Sequence, residues 1–346
     1  MASGIIVLAV IFGITRCFMF IKTTTVFTAS IDSSIPGINK MQEGYTEGEV
    51  KQTYIEKILG TQLAMNDNLV KQKINIIDEG DDEEEIINQE IAENLGTQVI
   101  EENNIKATYT NEYNGIQIKN SSKYNLTEEI LTPDIELDNN KDIIIYHTHT
   151  CESYTPTEKF NYQMTGNYRT TDINYSVARV GTELQNFLEQ YGFNVRHDTT
   201  LNDYPAYTGS YNRSLKVVES MLNQSSCDVV IDLHRDAVGS NSNYAPTVKI
   251  GDEYVAQLMF VIGTDGGGLE HSNWQQNLKL AIKIQQKANE MYPGLFRPII
   301  LRNSRYNQHV AKGAFIIEVG ATGNTLEQCI TSMKYLSKIM NEVLPH

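Results

Sequence analysis

Residues 141–346 are expected to fold as an α/β domain, three layers deep, around a mixed, mostly parallel sheet. Two observations predict this. From Lys141 onward, short β-branched runs alternate with longer segments whose apolar residues recur at helical spacing. Three of those runs also end in ligand-type side chains, as the carboxyl ends of parallel strands do where their loops converge on one crevice.

The strand-like runs are Ile143–Tyr146, Phe193–Arg196, Val229–Leu233, Met259–Ile262 and Phe315–Ile317. Between them lie Tyr175–Tyr191, apolar at 177, 180, 184, 187 and 188, and Trp274–Tyr292, apolar at 278, 281, 282 and 284. A last helical stripe, Leu326, Ile330, Met333, Leu336 and Met340, closes the domain. No internal repeat is present.

The front of the chain is different. The net charge of -15 belongs mainly to residues 1–140, with 10 basic and 23 acidic side chains, against 18 and 20 in residues 141–346. A near-neutral back half carries no basic footprint, so nucleic acid is set aside as a partner. Gly4–Ile21 is apolar except for Thr15 and Arg16, and its 18 residues suit a single membrane span, so residues 1–22 read as an N-terminal anchor, with a signal peptide cleaved near Thr28-Ala29-Ser30 as the alternative. Residues 23–140 read as a stalk and acidic linker, partly disordered, with a loosely amphipathic stretch over Glu47–Leu69. From Asp78 to Glu102 there are 11 acidic residues in 25, which repel one another and stay solvated. Cysteines at 17, 151, 227 and 329 form no CxxC pair and read as isolated thiols.

The chemistry gathers at strand ends. The first run leads into His147-Thr148-His149-Thr150-Cys151-Glu152, the third into His234-Arg235-Asp236, and the last into Glu318. His149, Glu152 and His234 supply the three N and O donors of a hydrolytic zinc site, and Glu318 is placed to move protons as general acid/base. His147 is either an alternative ligand or a support, because residues two apart in an extended segment face the same way. Each group also has an ordinary reading: His234 as a satisfied core histidine, Glu318 as a helix cap near Asn324 or an ion-pair partner. Arg235 and Asp236 are candidates for holding substrate or buttressing a ligand, with Asp232 in the same supporting role. Arg302, Arg305, Asn307 and Gln308 lie where a substrate-binding loop is expected. Gly263–Gly268 reads as a flexible turn, and His197, His271, His309 and His346 as surface residues.

Five stretches, in order, resemble the stage II sporulation protein P family of endospore-forming bacteria over nearly all of residues 141–346. They are IIIYHTHTCESY at 143–154, VARVGTELQNFLEQYGFNVRHDTT ending at Thr200, VVIDLHRDA at 229–237, RYNQ at 305–308 and IIEVGATGNT at 316–325. More distantly, that family is similar to zinc N-acetylmuramoyl-L-alanine amidases. The resemblance implies amidase and endopeptidase action on peptidoglycan, in septal wall remodelling and engulfment. It also implies a lytic transglycosylase and a membrane partner, and a catalytic domain outside the cytoplasm at the sporulation septum. Alignment with the amidases favours His149 over His147 as ligand. One departure stands out: Thr170-Thr171-Asp172 occupies the place of the amidases' ligand Glu, which leaves Glu152 for that role. A stem-peptide carboxypeptidase or endopeptidase and a non-catalytic wall-binding scaffold are the other readings.

Overall fold

The computed structural model describes residues 108–138, 141–163, 168–237 and 244–345. The expected anchor, the acidic run and the amphipathic stretch over 47–69 lie outside them. Among the described residues no helix is long and apolar enough to cross a membrane.

Among the described residues ten strands form in chain order: β1 (Asn111–Tyr113), β2 (Ile116–Asn120), β3 (Asp142–Tyr146), β4 (Asn194–His197), β5 (Val229–Asp236), β6 (Thr247–Ile250), β7 (Glu253–Ala256), β8 (Leu258–Ile262), β9 (Ile299–Leu301) and β10 (Gly313–Ala321). The helices are α1 (Glu128–Leu131), α2 (Val177–Gln190), α3 (Ser210–Gln224), α4 (Trp274–Met291) and α5 (Leu326–Val343). Eight strands make one sheet in the order β1-β2-β9-β8-β10-β5-β3-β4, and β6–β7 form a separate hairpin. Strands β10, β5, β3 and β4 run parallel, and β8 joins them antiparallel to β10. The sheet is therefore mixed and mostly parallel, as expected, and its parallel block delivers the ends of β3, β4, β5 and β10 to one edge.

The sheet starts before Lys141. The segment around Asn114-Gly115, both with positive φ, turns β1 back on β2, and β2 pairs with β9 while burying Ile116 and Ile118 completely. The polar residues around this hairpin hid it within the expected linker. Four further elements were not anticipated: α1, α3, β9 and the β6–β7 hairpin.

Period-2 alternation sorts the sheet's two faces. Ile143, Ile145, Val229, Ile231, Leu233, Phe260, Phe315, Ile317 and Val319 point into the main core. That core is covered by α2, α4 and α5, whose apolar stripes pack on the sheet and on one another. Two of their starts are fixed locally: Ser176 caps α2 by accepting from the Ala178 amide, and Thr325 with Gln328 makes a capping box on α5. The cap on α5 thus belongs to Thr325, and Glu318 lies inside β10. The intervening positions, Ile144, Tyr146, Val230, Met259, Val261, Ile300 and Ile316, face smaller apolar clusters beneath α3 and Tyr306. Asp232, His234, Asp236 and Glu318 fall in this second phase and are themselves buried, so the chemistry stands on the face away from the main core.

Three of the histidines expected at the surface are at least partly buried. His271 is only 1% exposed, with Nε2 2.8 Å from Asn277 Oδ1 on α4, and His197 and His309 are half-buried. Cys151, Cys227 and Cys329 are buried free thiols.

Burial pushes the His271 pKa from its usual 6.5 down to about 4. The unfolded chain therefore takes up this proton more readily than the folded one. His271 contributes stability that is present above about pH 6.5 and lost as pH falls toward 4, on the order of 3 kcal/mol at the acid end. Denaturant unfolding of the full chain at pH 7 and pH 4.5 measures this loss. His271→Gln, which keeps a partner for Asn277, is expected to reduce it; an unchanged pH dependence contradicts the assignment.

Candidate active site

β3 ends at Tyr146 and the chain turns at once, so His147 and His149 diverge instead of sharing a side as an extended segment would have them. His147 looks toward the sheet's edge. Its Nδ1 lies 2.7 Å from the Leu233 carbonyl and its Nε2 2.7 Å from His197 Nε2. Both nitrogens are thus taken by protein, and burial, then the neighbouring His197, pushes its pKa down to about 3. Gly181 of α2 makes room for the pair: a Cβ there would stand 2.6 Å from His197 Nε2 and 2.9 Å from the His147 ring. This geometry gives His147 a supporting place.

His149 looks the other way, toward β5. Its ring is perpendicular to that of His234, centroids 5.2 Å apart, and stacks on Tyr207 at 4.5 Å with the phenol oxygen 3.2 Å from Nε2. Glu152 sits on the same turn, its amide bonded to the His149 carbonyl. Glu152 Oε2 accepts the Arg235 backbone N–H at 3.0 Å and lies 3.9 Å from His234 Nδ1.

Beneath them, Asp232 is a buried carboxylate with a full set of partners. The Thr148 backbone N–H donates to Oδ1 at 2.8 Å and its hydroxyl to Oδ2 at 2.6 Å, while His234 Nε2 stands 2.8 Å from Oδ1. The Thr148 hydroxyl lies 2.8 Å from Ser214 Oγ, which receives Asn307 Nδ2–H at 2.9 Å. A chain of polar contacts therefore runs from Asn307 through Ser214 and Thr148 to Asp232 and His234. Burial alone would raise the Asp232 pKa, but the His234 charge and the hydrogen bonds from His234 and Thr148 hold it below the ordinary carboxylate value. Burial likewise disfavours a charged His234, yet Asp232, Glu152 and Glu318 together raise its pKa well above 6.5.

Glu318 is the register partner of His234 across the β10–β5 pair, so the two stand side by side on one face. A shift in register between Glu318 and Ala321, with Gly320 at positive φ, bends β10 just beyond the carboxylate.

A second buried carboxylate, Asp203, holds the far side of the site. It accepts the Cys151 amide at 3.1 Å and Arg169 Nη2 at 2.5 Å, and it lies 4.0 Å from His149 Nδ1. Burial and this carboxylate push the Cys151 thiol up to about 12, so Cys151 is no thiolate nucleophile near neutral pH. Asp203, Tyr207 and Arg169 escaped the sequence reading. The signal for Asp203 and Tyr207 was the polar, aromatic stretch after β4, a strand-end loop on the site's edge, whereas Arg169 lies earlier, ahead of α2.

The other expected residues divide. Arg235 and Asp236 are in the site: Arg235 is bonded to Thr322, and Asp236 accepts Arg297 Nη1 at 2.6 Å. Asn307 joins it through Ser214. Arg302 and Arg305 were expected to bind substrate and stand elsewhere. Arg302 follows β9, its amide bonded to the Ile262 carbonyl, and Val261 pairs with Ile316 whereas Glu318 pairs with Met259. This displaces Arg302 toward the opposite end of the sheet, while Arg305 donates to the Glu270 carbonyl. The reason is strand direction, since β8 and β9 run against β10 and deliver their ends away from the site. Asp172 is exposed and bonded to Asn174, so it supplies no ligand in place of Glu152.

His149, His234 and Glu152 provide the N, N, O donor set that zinc uses in hydrolytic sites, and Asp232 on the far nitrogen of His234 matches the outer carboxylate that orients a ligand histidine. The donors fit in kind. Among the described residues no group of three or more His, Cys, Asp or Glu side chains stands in geometry that could hold an ion.

A family model, stage II sporulation protein P, matches residues 53–341. The stage II sporulation protein P of Bacillus subtilis is 28% identical over 215 residues, 59% of this chain and 51% of the relative, so the chain spans about half the length of that curated relative. Among solved structures, the amidase CwlD of Clostridioides difficile, in complex with the GerS lipoprotein, is 18% identical with a TM-score of 0.37, covering 58% of this chain and 95% of its own. The N-acetylmuramoyl-L-alanine amidase AmiC2 of Nostoc punctiforme is 8% identical with a TM-score of 0.35, covering 59% and 95%. At such scores the fold rests on the strand order described above.

Asp232→Asn keeps the shape and removes the charge that His234 depends on. It is expected to destabilise the full chain by about 3 kcal/mol, the scale of a broken buried ion pair. Asn307→Ala, at the far end of the same chain of bonds, is expected to cost about 1 kcal/mol. Denaturant unfolding measures both, and a negligible loss for Asp232→Asn contradicts the central place given to it.

Proposed function

The chain belongs to the stage II sporulation protein P family, and on that premise we propose that it is a zinc-dependent peptidoglycan hydrolase cleaving the amide between N-acetylmuramic acid and L-alanine. The observation that carries the reading is the convergence of His149, Glu152 and His234 at the ends of β3 and β5, with Glu318 level with His234 on β10.

His149, Glu152 and His234 would hold the ion. Bound there, zinc supplies Lewis acidity toward the scissile carbonyl and toward water. The chain's own groups do the rest. Asp232 fixes His234 through Nε2 and leaves Nδ1 toward Glu152. The Glu318 carboxylate takes the proton of the attacking water and returns it to the leaving nitrogen as the C–N bond breaks. Tyr207, 43% exposed over His149, offers a ring for substrate to rest on. The same transfers serve peptide cross-links, so endopeptidase action belongs to the same proposal. We also propose action at the sporulation septum, with residues 4–21 as anchor and a lytic transglycosylase and a membrane partner beside the enzyme.

The test uses the full chain in mild detergent with purified, dye-labelled peptidoglycan. Hydrolysis is expected to stop with a chelator and return with zinc, and Glu318→Gln is expected to lose at least about 100-fold in rate. Full hydrolysis by Glu318→Gln contradicts its role, and activity indifferent to chelator contradicts the metal.

A further inference from the structure

Arg297 lies just before β9 and is 8% exposed. Its amide donates to the Leu258 carbonyl, and Leu258 pairs with Val319, which puts Arg297 level with the Glu318 end of β10. Phe296 turns into the main core, stacked on Phe260 at 4.9 Å. Arg297 therefore takes the opposite face, the one that bears His234, Asp236 and Glu318.

One corner of its guanidinium is fixed. Nη1 donates to Asp236 Oδ2 at 2.6 Å and to the Tyr244 hydroxyl at 3.0 Å. Nε and Nη2 are fully buried and have no hydrogen-bond partner. Those two N–H groups form one side of the planar fork, the side that grips both oxygens of a carboxylate. Leaving a charged edge buried and unmet is costly, and structures keep such a group where something binds it. Nearby carboxylates do not meet it: Asp236 is spent on Nη1, and the charge of Glu318 is felt at Arg297 without a hydrogen bond to it. Arg235 brings a second guanidinium nearby, donating to the Asp236 carbonyl at 3.2 Å.

We propose that the Nε/Nη2 edge of Arg297 receives a carboxylate of the peptide whose amide is cut, making the site select peptides with a free carboxylate near the scissile bond. This rests on the hydrolytic reading above and adds a subsite to it, across Glu318 from His234. The edge is closed to bulk water, so the side chains over it part when the peptide enters.

The test reads the edge itself. In the full chain labelled with ¹⁵N-arginine, the Arg297 Nε–H resonance is identified by its loss in Arg297→Lys. If that variant does not fold, Tyr244→Phe, which removes the hydroxyl at Nη1 and leaves Asp236 in place, identifies it by its shift. A short alanyl-glutamyl peptide with free carboxylates is then titrated, beside the same peptide amidated. The free acid is expected to move the resonance and the amide to leave it in place, with calorimetry showing about tenfold weaker binding of the free acid to Arg297→Lys, the loss of one charge-assisted hydrogen bond. An unmoved resonance with peptide in excess, or equal movement with both peptides, overturns the proposal. Hydrolysis plays no part in this readout: a moved resonance in a chain that cuts nothing keeps the subsite and sinks the enzyme, and an active chain with an unmoved resonance does the reverse.

Discussion

The arrangement at the sheet's edge depends on one buried carboxylate. Asp232 takes the backbone and hydroxyl of Thr148 on one side and His234 on the other, and so ties the turn after β3 to the end of β5. Such a charge is tolerable only because its neighbours are donors or cations, since an unpaired buried carboxylate would be neutralised or expelled. The turn that brings His149 and Glu152 to His234 begins at Thr148. Position and charge are thus set by the same bonds.

The second constraint is the unequal cover of the two sheet faces. Three helices seal one face with a continuous apolar core, while α3 and the segment around Tyr306 cover the other with smaller apolar clusters. Alternation along β5 and β10 sends Asp232, His234, Asp236 and Glu318 to the second face, where polar groups can meet a ligand. A one-residue slip in β5 would bury them in the main core and expose Ile231 and Leu233, so the hydrophobic phase of the strand also fixes its chemistry.

Much of this was legible in the sequence where period and chemistry coincide. The five strand runs, helices α2, α4 and α5, and the cluster at three strand ends could be read because each is local or follows from parallel topology. What escaped depends on partners far away in the chain. β2 is five residues in a polar stretch, and pairing with β9 joins it and β1 to the main sheet; β9 itself is three residues long. Arg302 and Arg305 were misplaced because the sequence does not announce that β8 and β9 run against β10. The roles of His147 and His149 separated only when the turn after Tyr146 was known, and Arg297 became visible only through its neighbours on β5 and β10. His271 was taken for a surface residue because its burial comes from Asn277 and the segment near Ala311.

The central claim is that this edge cuts a particular amide, and the identity of the products tests it most directly. Purified peptidoglycan digested by the full chain with zinc is resolved by mass. The account predicts intact stem peptides released with a new L-alanine amino terminus, leaving glycan strands whose muramic lactyl groups end in free carboxylates. Shortened or separated stems with every muramyl–alanine bond intact would contradict it, and would make these residues the site of a peptidase.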